Sequence, residues 1–207
     1  MRNFSFITIS LCFTITAILG CTGFKRERLT KSYFDLNAEE LKHDPNNTRK
    51  GAPLMIKEFG IHSGFDSHSF IYRVDTEKYR NDFYNEFITY PAKLITEKFI
   101  EALCKSEKFT MELSDSKKSY EYRLSGKIVR LYGDYLNPDF PKSVLEIRLI
   151  LEKRRLSSFK PVLNKTYSQV QKITSMKPEQ LVSGWNTGLR NIIDQFLLDS
   201  GSDEKIR

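Results

Sequence analysis

The sequence predicts a single α/β domain, a mixed β-sheet of about five to seven strands with two main α-helices packed on it. Three observations predict this class. Apolar residues alternate with polar ones at several places in the chain, as in half-buried strands. Two segments place apolar residues at helical spacing, and strands separate them. The 207 residues suffice for one domain with a sizeable core.

The first twenty residues are predicted to be a secretory signal peptide. Arg2 precedes an apolar run from about Phe4 to Leu19, which is typical of such signals. Hydroxyl side chains interrupt the run, and its length is at the short end of the roughly 17–25 residues that span a bilayer. We therefore expect residues 1–20 to be absent from the fold, with a retained transmembrane helix as the alternative.

The residues Ile18-Leu19-Gly20-Cys21 resemble the bacterial lipobox. This resemblance implies cleavage between Gly20 and Cys21 and attachment of lipid, including palmitate, to the Cys21 thiol. Several acyl chains make attachment long-lived, because each buried methylene contributes roughly 0.8 kcal/mol. By the family rule, Thr22 in place of Asp favours the outer membrane. The alternative is an ordinary signal peptide with a chance cysteine.

The expected organisation is a lipidated N-terminus and linker over residues 21–32, a folded domain over 33–198 and a polar tail over 199–207. Without Arg2 the net charge is about +6. An exported chain meets no nucleic acid, so anionic lipid headgroups or an acidic protein are better partners for this charge. The alternative is that the scattered basic residues only solvate the surface. Cys104 has no disulfide partner and is predicted to be a buried thiol on the apolar side of a helix.

Three strands are expected before the first helix. A short strand over residues 33–36 precedes a polar loop over 37–51. Leu54 and Ile56 then mark a core strand, and residues 70–74 alternate like another. The aromatic residues between 79 and 90 are predicted to lie in paired strands and to be core more often than a lipid-binding groove.

The first helix should begin at Pro91, because proline is tolerated in a first helical turn. Its predicted buried stripe contains Ile95, Phe99, Ala102 and Leu103. A strand over residues 109–113 and a polar turn over 114–119 follow.

Residues 120–131 form a long strand whose apolar side chains change parity, which predicts a bulge at Gly126. Residues 145–151 alternate most cleanly, and 162–173 resemble a polar edge strand. The second helix begins at Pro178-Glu179. Its glycines, Gly184 and Gly188, predict close packing on the sheet, with a subunit contact as the alternative. The expected buried stripe of this helix is Val182, Trp185, Leu189, Ile192, Ile193 and Phe196.

Catalytic chemistry is not indicated, so we expect no catalytic residue, cofactor or metal ligand. His43 lies in the polar loop, and the six-residue spacing of His62 and His68 matches no standard zinc site. Ser63 sits one place late for a nucleophile elbow. A phosphate-binding glycine loop is also missing from the sequence, so the chain is not expected to hydrolyse ATP.

These motifs, in this order, resemble the ABC-type transport auxiliary lipoproteins, outer-membrane-tethered partners of MCE-type lipid transport systems. The resemblance covers most of the mature chain. Besides the lipobox, the matching features are Tyr33-Phe34-Asp35-Leu36, Ile71-Tyr72-Arg73-Val74, Phe83-Tyr84-Asn85-Glu86-Phe87, Tyr90-Pro91-Ala92, Ser106-Glu107-Lys108-Phe109, Leu124-Ser125-Gly126-Lys127-Ile128, the strand over 144–151 and the terminal helix with Trp185.

The resemblance implies a non-catalytic accessory of an ATP-driven phospholipid transporter. Its partners would be an MCE-type protein, an ABC permease and ATPase, and membrane lipid through acylated Cys21. The domain would hang from the outer membrane and face the periplasm, and self-association into a homo-oligomer is compatible with the sequence. Two alternatives stay open: an assembly or binding module of another envelope machine or a surface antigen, and an envelope hydrolase using His62, Asp66 and His68.

Overall fold

The computed structural model describes residues 30–37, 51–106, 108–111, 120–156 and 158–201. They form one α/β domain in which two helices pack on a mixed sheet, as predicted, but the sheet has nine strands. The strands are β1 (Ser32–Phe34), β2 (Ala52–Ile56), β3 (Gly60–Ile61), β4 (Ser69–Arg73), β5 (Tyr79–Phe87), β6 (Phe109–Met111), β7 (Tyr122–Asp134), β8 (Lys142–Arg155) and β9 (Ser158–Lys172); the helices are α1 (Pro91–Lys105) and α2 (Pro178–Gly201).

The central strand is β7, and its pairing explains the larger strand count. One edge of β7 pairs with β8 over nearly its whole length, antiparallel. The other edge receives β2, β3 and β4 one after another, all parallel to β7. Five strands precede α1 rather than three. Strands β2 and β4 correspond to the predicted segments at 54–56 and 70–74, whereas the two residues of β3 are too few to show alternation in the sequence.

The sheet continues outward from β4 through β5 to β1 and, on the other side, from β8 to β9. The predicted polar edge strand over 162–173 is thus confirmed within β9, whose described partner is β8. Leu36, just after β1, is buried. The predicted loop over 37–51 and the turn over 114–119 lie mostly or wholly outside the described residues.

The predicted bulge in β7 exists, but it lies at Val129 rather than Gly126. Ile128 pairs with Ile147 and Arg130 with Glu146, so one residue of β7 is extra. Gly126 has a different reason to be glycine. A Cβ there would lie 2.7 Å from the ring of Phe59, so this aromatic ring packs directly on the strand backbone.

Both helices bury the stripes that the sequence predicts. In α2, a Cβ at Gly184 would lie 2.3 Å from Ser143 Oγ, and one at Gly188 would lie 3.2 Å from Gln169 Cβ. The two glycines therefore let the helix backbone approach β8 and β9, which confirms close packing on the sheet. The helix runs to Gly201, beyond the predicted domain limit at 198.

The prediction that Cys104 is buried is wrong, because its side chain is exposed. It lies one residue after buried Leu103, and one helical step of about 100° turns it off the apolar stripe. The thiol is still partly shielded from water by its neighbours, and this partial burial raises its pKa. Neither described helix combines the length and apolar character that a membrane span requires.

The register of the strands defines two ends of the sheet. At the exit end lie the loops 74–78, 135–141 and 173–177, which follow β4, β7 and β9. At the hairpin end, Arg155 at the end of β8 pairs with Ser158 at the start of β9. The 14 residues of β8 separate the ends by roughly 45 Å at about 3.3 Å per residue.

Candidate membrane-proximal site

The predicted lipidation site, Cys21, and the cleavage residue Gly20 lie outside the described residues. The first described residue is Thr30. Strand β1 pairs parallel with β5, and β5 pairs antiparallel with β4, which runs parallel to β7. Since β1 therefore runs opposite to β7, the chain before Ser32 enters the domain from the exit end.

Strand β1 is fixed by one aromatic side chain and exposes the next. The ring of Phe34 lies 5.2 Å from that of Phe70 in the core, and the Phe34 carbonyl accepts a 2.9 Å hydrogen bond from the Ile88 N–H. Because side chains alternate along a strand, Tyr33 points outward and is 61% exposed.

The neighbouring strand β5 contains a wide bulge. Ser69 pairs with Glu86 and Ile71 pairs with Asn81, so two steps along β4 correspond to five along β5. The three extra residues leave the regular ladder. Phe83 is consequently 69% exposed, and it packs edge-on against Tyr84, with ring centroids 5.2 Å apart.

The carboxylate of Asp82 holds this bulge. It accepts hydrogen bonds from the backbone N–H groups of Tyr84 and Asn85, at 2.8 and 3.1 Å, and from the Asn85 amide at 2.7 Å. The Tyr72 hydroxyl donates another at 2.5 Å. Burial alone would raise the pKa of Asp82, but these hydrogen bonds outweigh it and hold the pKa below its ordinary value.

Lys31 links β1 to the bulge. Its ammonium forms an ion pair with Glu86 and lies 5.0 Å from the centroid of the Phe83 ring. The hydrogen bond to Glu86 raises the pKa of Lys31. We call the exposed set on β1 and β5 and the residues next to them the bulge surface; it comprises Lys31, Tyr33, Phe83, Tyr84 and Ile88.

The loops of the exit end expose further large apolar side chains. Leu136 and Phe140 in loop 135–141 are exposed, as is Met176 in loop 173–177. Exposed aromatic side chains are typical of the interface between a membrane and water. The bulge surface adjoins these loops, because Tyr72 both donates to Asp82 and stacks on Tyr135 of loop 135–141 at 4.8 Å. The exit end and the neighbouring bulge surface thus form an apolar, aromatic region beside the strand by which the predicted tether enters the domain.

The candidate hydrolase residues lie on one loop, but each has its own local role. His62 Nδ1 accepts a 3.1 Å hydrogen bond from the Gly64 N–H and caps a short 3₁₀ turn. The His68 ring packs on Tyr90 at 4.0 Å. Over the ranges that the structure describes, no three His, Cys, Asp or Glu side chains are grouped as a metal site requires.

An open cavity of about 440 Å³ lies at the start of α1. Asp66 lines it, whereas His62 and His68 are not among its described lining residues. Carboxylates and an ammonium group face it together with apolar side chains. Its full lining is Glu58, Phe59, Gly60, Ile61, Asp66, Tyr90, Ala92 and Lys93.

Sequence reasoning missed the bulge surface. It predicts that the aromatic residues from 79 to 90 are mainly core, and this holds for Phe87 but not for Phe83, Tyr84 or Tyr90. Asn81-Asp82 was the available signal, because Asn and Asp side chains often bind backbone N–H groups in turns. Two such residues within an aromatic run indicate a break in the ladder.

No protein-family model and no curated protein matches the chain. The fold is similar to that of protein XCC0632 from Xanthomonas campestris, of family DUF330, with a TM-score of 0.70 and 12% identity over 84% of this chain and 99% of that one. Protein CT253 from Chlamydia trachomatis has a TM-score of 0.50 and 9% identity over 70% and 95%. A crystal structure of an uncharacterized protein has a TM-score of 0.64 and 12% identity over 81% and 96%. These likenesses establish the fold.

Proposed function

We propose that this chain is a lipid-anchored, non-catalytic accessory protein of an ABC/MCE-type phospholipid transport system that links the outer membrane to periplasmic transport components. The observation that carries the proposal is that exposed aromatic side chains lie beside β1, the strand by which the segment beginning at Cys21 enters the domain. The resemblance of the sequence to auxiliary lipoproteins supplies the substrate class.

The length of the tether supports a membrane-proximal position for the exit end. The ten residues from Cys21 to Lys31 span at most roughly 36 Å when fully extended. Acyl chains on Cys21 would therefore keep the bulge surface close to the lipid headgroups. Lys25, Arg26 and Arg28 in this segment would be attracted to anionic headgroups over the same distance.

The non-catalytic part of the proposal is supported by the positions of the three candidate hydrolase residues. General acid-base chemistry needs its side chains gathered where a substrate can bind. Asp66 lines the cavity at the start of α1, whereas His62 and His68 are not among the described residues that line it. A tethered domain of this kind would act by holding a transport component near the outer membrane.

Co-purification tests the proposal. The full lipidated chain, extracted in mild detergent, should bring with it the MCE-type protein and the ABC ATPase. Reproducible recovery of a different envelope machine instead would contradict the transport role and favour the assembly-module alternative.

The hydrolase alternative has its own test. Replacing His62, Asp66 and His68 together by alanine should leave the transport phenotype of cells unchanged. The matched control is alanine at Ser175, Lys177 and Glu179, near the start of α2. Loss of function in the first variant alone would favour catalysis.

A further inference from the structure

A second surface, at the opposite end of the sheet, has a different character. The β8–β9 hairpin ends in a cluster of cationic side chains, Lys153, Arg154, Arg155 and Lys160, and Arg123 of the neighbouring strand β7 joins it. Glu152 pairs with Arg123 at 2.7 Å and Glu121 with Lys153 at 3.1 Å. Arg155 and Lys160 are exposed and have no acidic partner among the described residues.

Two aromatic rings hold the arginines in place. The rings of Tyr120 and Phe159 stack with centroids 5.4 Å apart. The Arg154 guanidinium lies 5.0 Å from the first ring and 5.1 Å from the second, and that of Arg123 lies 4.5 Å from Phe159. Such contacts order the planar guanidinium group before a partner arrives.

The turn at the tip of the hairpin carries a strained, exposed leucine. Leu156 has φ 51°, in the left-handed region that favours Gly, Asn or Asp in a two-residue hairpin turn. Its side chain is fully exposed. A leucine here is unfavourable both for the backbone and for contact with water, and strain of this kind concentrates at functional sites.

We propose that this hairpin tip, with Leu156 as its apex, docks into an acidic surface of a partner protein that has a small apolar recess. Charge complementarity argues for an acidic partner, because among the described residues of the tip the two neighbouring glutamates neutralise only two of the five cations. Arginine and aromatic side chains are also enriched among residues that dominate protein–protein binding.

The anchoring bilayer is a poorer occupant. Binding of a protein to a membrane surface grows with the apolar area inserted, and Leu156 is the one large apolar side chain that the described residues of the tip expose. The identification of the partner with the MCE-type protein rests on the proposed function.

Binding of the purified MCE-type protein to the full lipidated chain in detergent tests this inference. We expect Arg155→Glu with Lys160→Glu to weaken binding at least tenfold, and Leu156→Asn to weaken it several-fold while raising Tm. Higher salt should weaken binding of the unmodified chain. Matched controls at the exit end, Lys172→Glu with Lys177→Glu and Leu136→Asn, should bind like the unmodified chain.

The outcomes separate the two proposals. Unchanged binding by both tip variants would overturn the docking site while leaving the proposed function intact. No binding by the unmodified chain would overturn both. Phosphatidylglycerol vesicles provide the lipid arm: vesicle binding that needs Arg155, Lys160 and Leu156, with protein binding that does not, would assign the tip to lipid and overturn the protein partner. Since Leu156→Asn should stabilise the fold, loss of binding in that variant does not reflect unfolding.

Discussion

The exit end and the hairpin end of the sheet expose opposite kinds of side chain. The exit end and the adjoining bulge surface present Phe140, Phe83 and Tyr33, whereas the described residues of the hairpin end present cations around the apolar apex Leu156. Both ends depart from ideal strand geometry, one through a three-residue bulge and the other through a left-handed leucine. The difference indicates that local irregularity in this sheet serves to expose side chains, and that each end suits its own environment.

The largest expected effect is on where the protein resides. Cys21→Ser removes the acyl acceptor that lies outside the folded domain, so the variant should move from the membrane fraction to the soluble fraction and keep its circular dichroism spectrum. Fractionation with immunoblotting measures this. A variant that still sediments with the outer membrane would show that anchoring by Cys21 is wrong or redundant.

The second-largest expected effect is on the affinity of the exit end for lipid. Each exposed ring placed in the interface contributes about 1 kcal/mol, so Phe83→Ser with Phe140→Ser should reduce vesicle binding of the non-lipidated protein roughly tenfold or more. Flotation with phosphatidylethanolamine and phosphatidylglycerol vesicles measures it. The matched control removes two exposed apolar side chains elsewhere, Leu156→Ser with Leu198→Ser; equal losses in both variants would remove the distinction between the ends.

The bulge itself should depend on Asp82. This carboxylate accepts four hydrogen bonds, and Asp82→Asn should lower the free energy of unfolding by about 1–3 kcal/mol. Urea denaturation measures this change. The control Asp75→Asn alters an exposed carboxylate that accepts from the Thr76 N–H, and its effect should be near zero. An Asp82 variant as stable as the control would mean that the bulge does not need the carboxylate.

At the hairpin end we expect a substitution that stabilises the fold. Leu156→Asn places a residue that tolerates φ 51° in the turn, and should raise the free energy of unfolding by about 1 kcal/mol. Leu136→Asn, at an exposed loop position, should change it little. A destabilised Leu156→Asn variant would show that the leucine contributes to folding rather than to recognition.

The smallest expected effect is the pH dependence of the stability that Asp82 contributes. Because the folded-state pKa of Asp82 is lowered from 3.8, its contribution is fully present above about pH 3.8 and is lost as pH falls through the folded-state pKa. The Tm difference between the unmodified chain and Asp82→Asn should therefore be constant from about pH 7 to 5 and narrow below pH 3.8. A difference that does not change over this range would contradict the role of the charge. Glu152 and Asp199, whose pKa values are also lowered, are present in both proteins and cancel.

The regular elements of the fold could be predicted because their physics is local. The spacing of Ile95, Phe99 and Leu103 requires a helix with one buried stripe, and the alternation over 145–151 requires a strand with one buried face. Both are confirmed. Strands β2 and β4 were predicted as well, but β3 and the pairing of all three with one edge of β7 were not, because this partner is distant in sequence.

Neither candidate surface could be predicted from periodicity. An aromatic residue favours strands whether it is buried like Phe87 or expelled like Phe83; hydrogen bonds to Asp82 decide between the two. The hairpin tip was missed for a similar reason. Leu156 lacks the Asn-Gly chemistry that marks a two-residue turn, so the sequence contains no ordinary signal for a reversal there.

Strand β9 also affects whether neighbouring copies of the protein can pair with one another. Its outer edge is unpaired among the described residues, and such an edge can recruit a strand from a neighbouring molecule. Pro161 lacks a backbone donor, and Lys160 and Lys172 place positive charge along the same strand. Two copies meeting at this edge would repel each other, which opposes sheet-to-sheet polymerisation even where anchoring concentrates the protein on a surface.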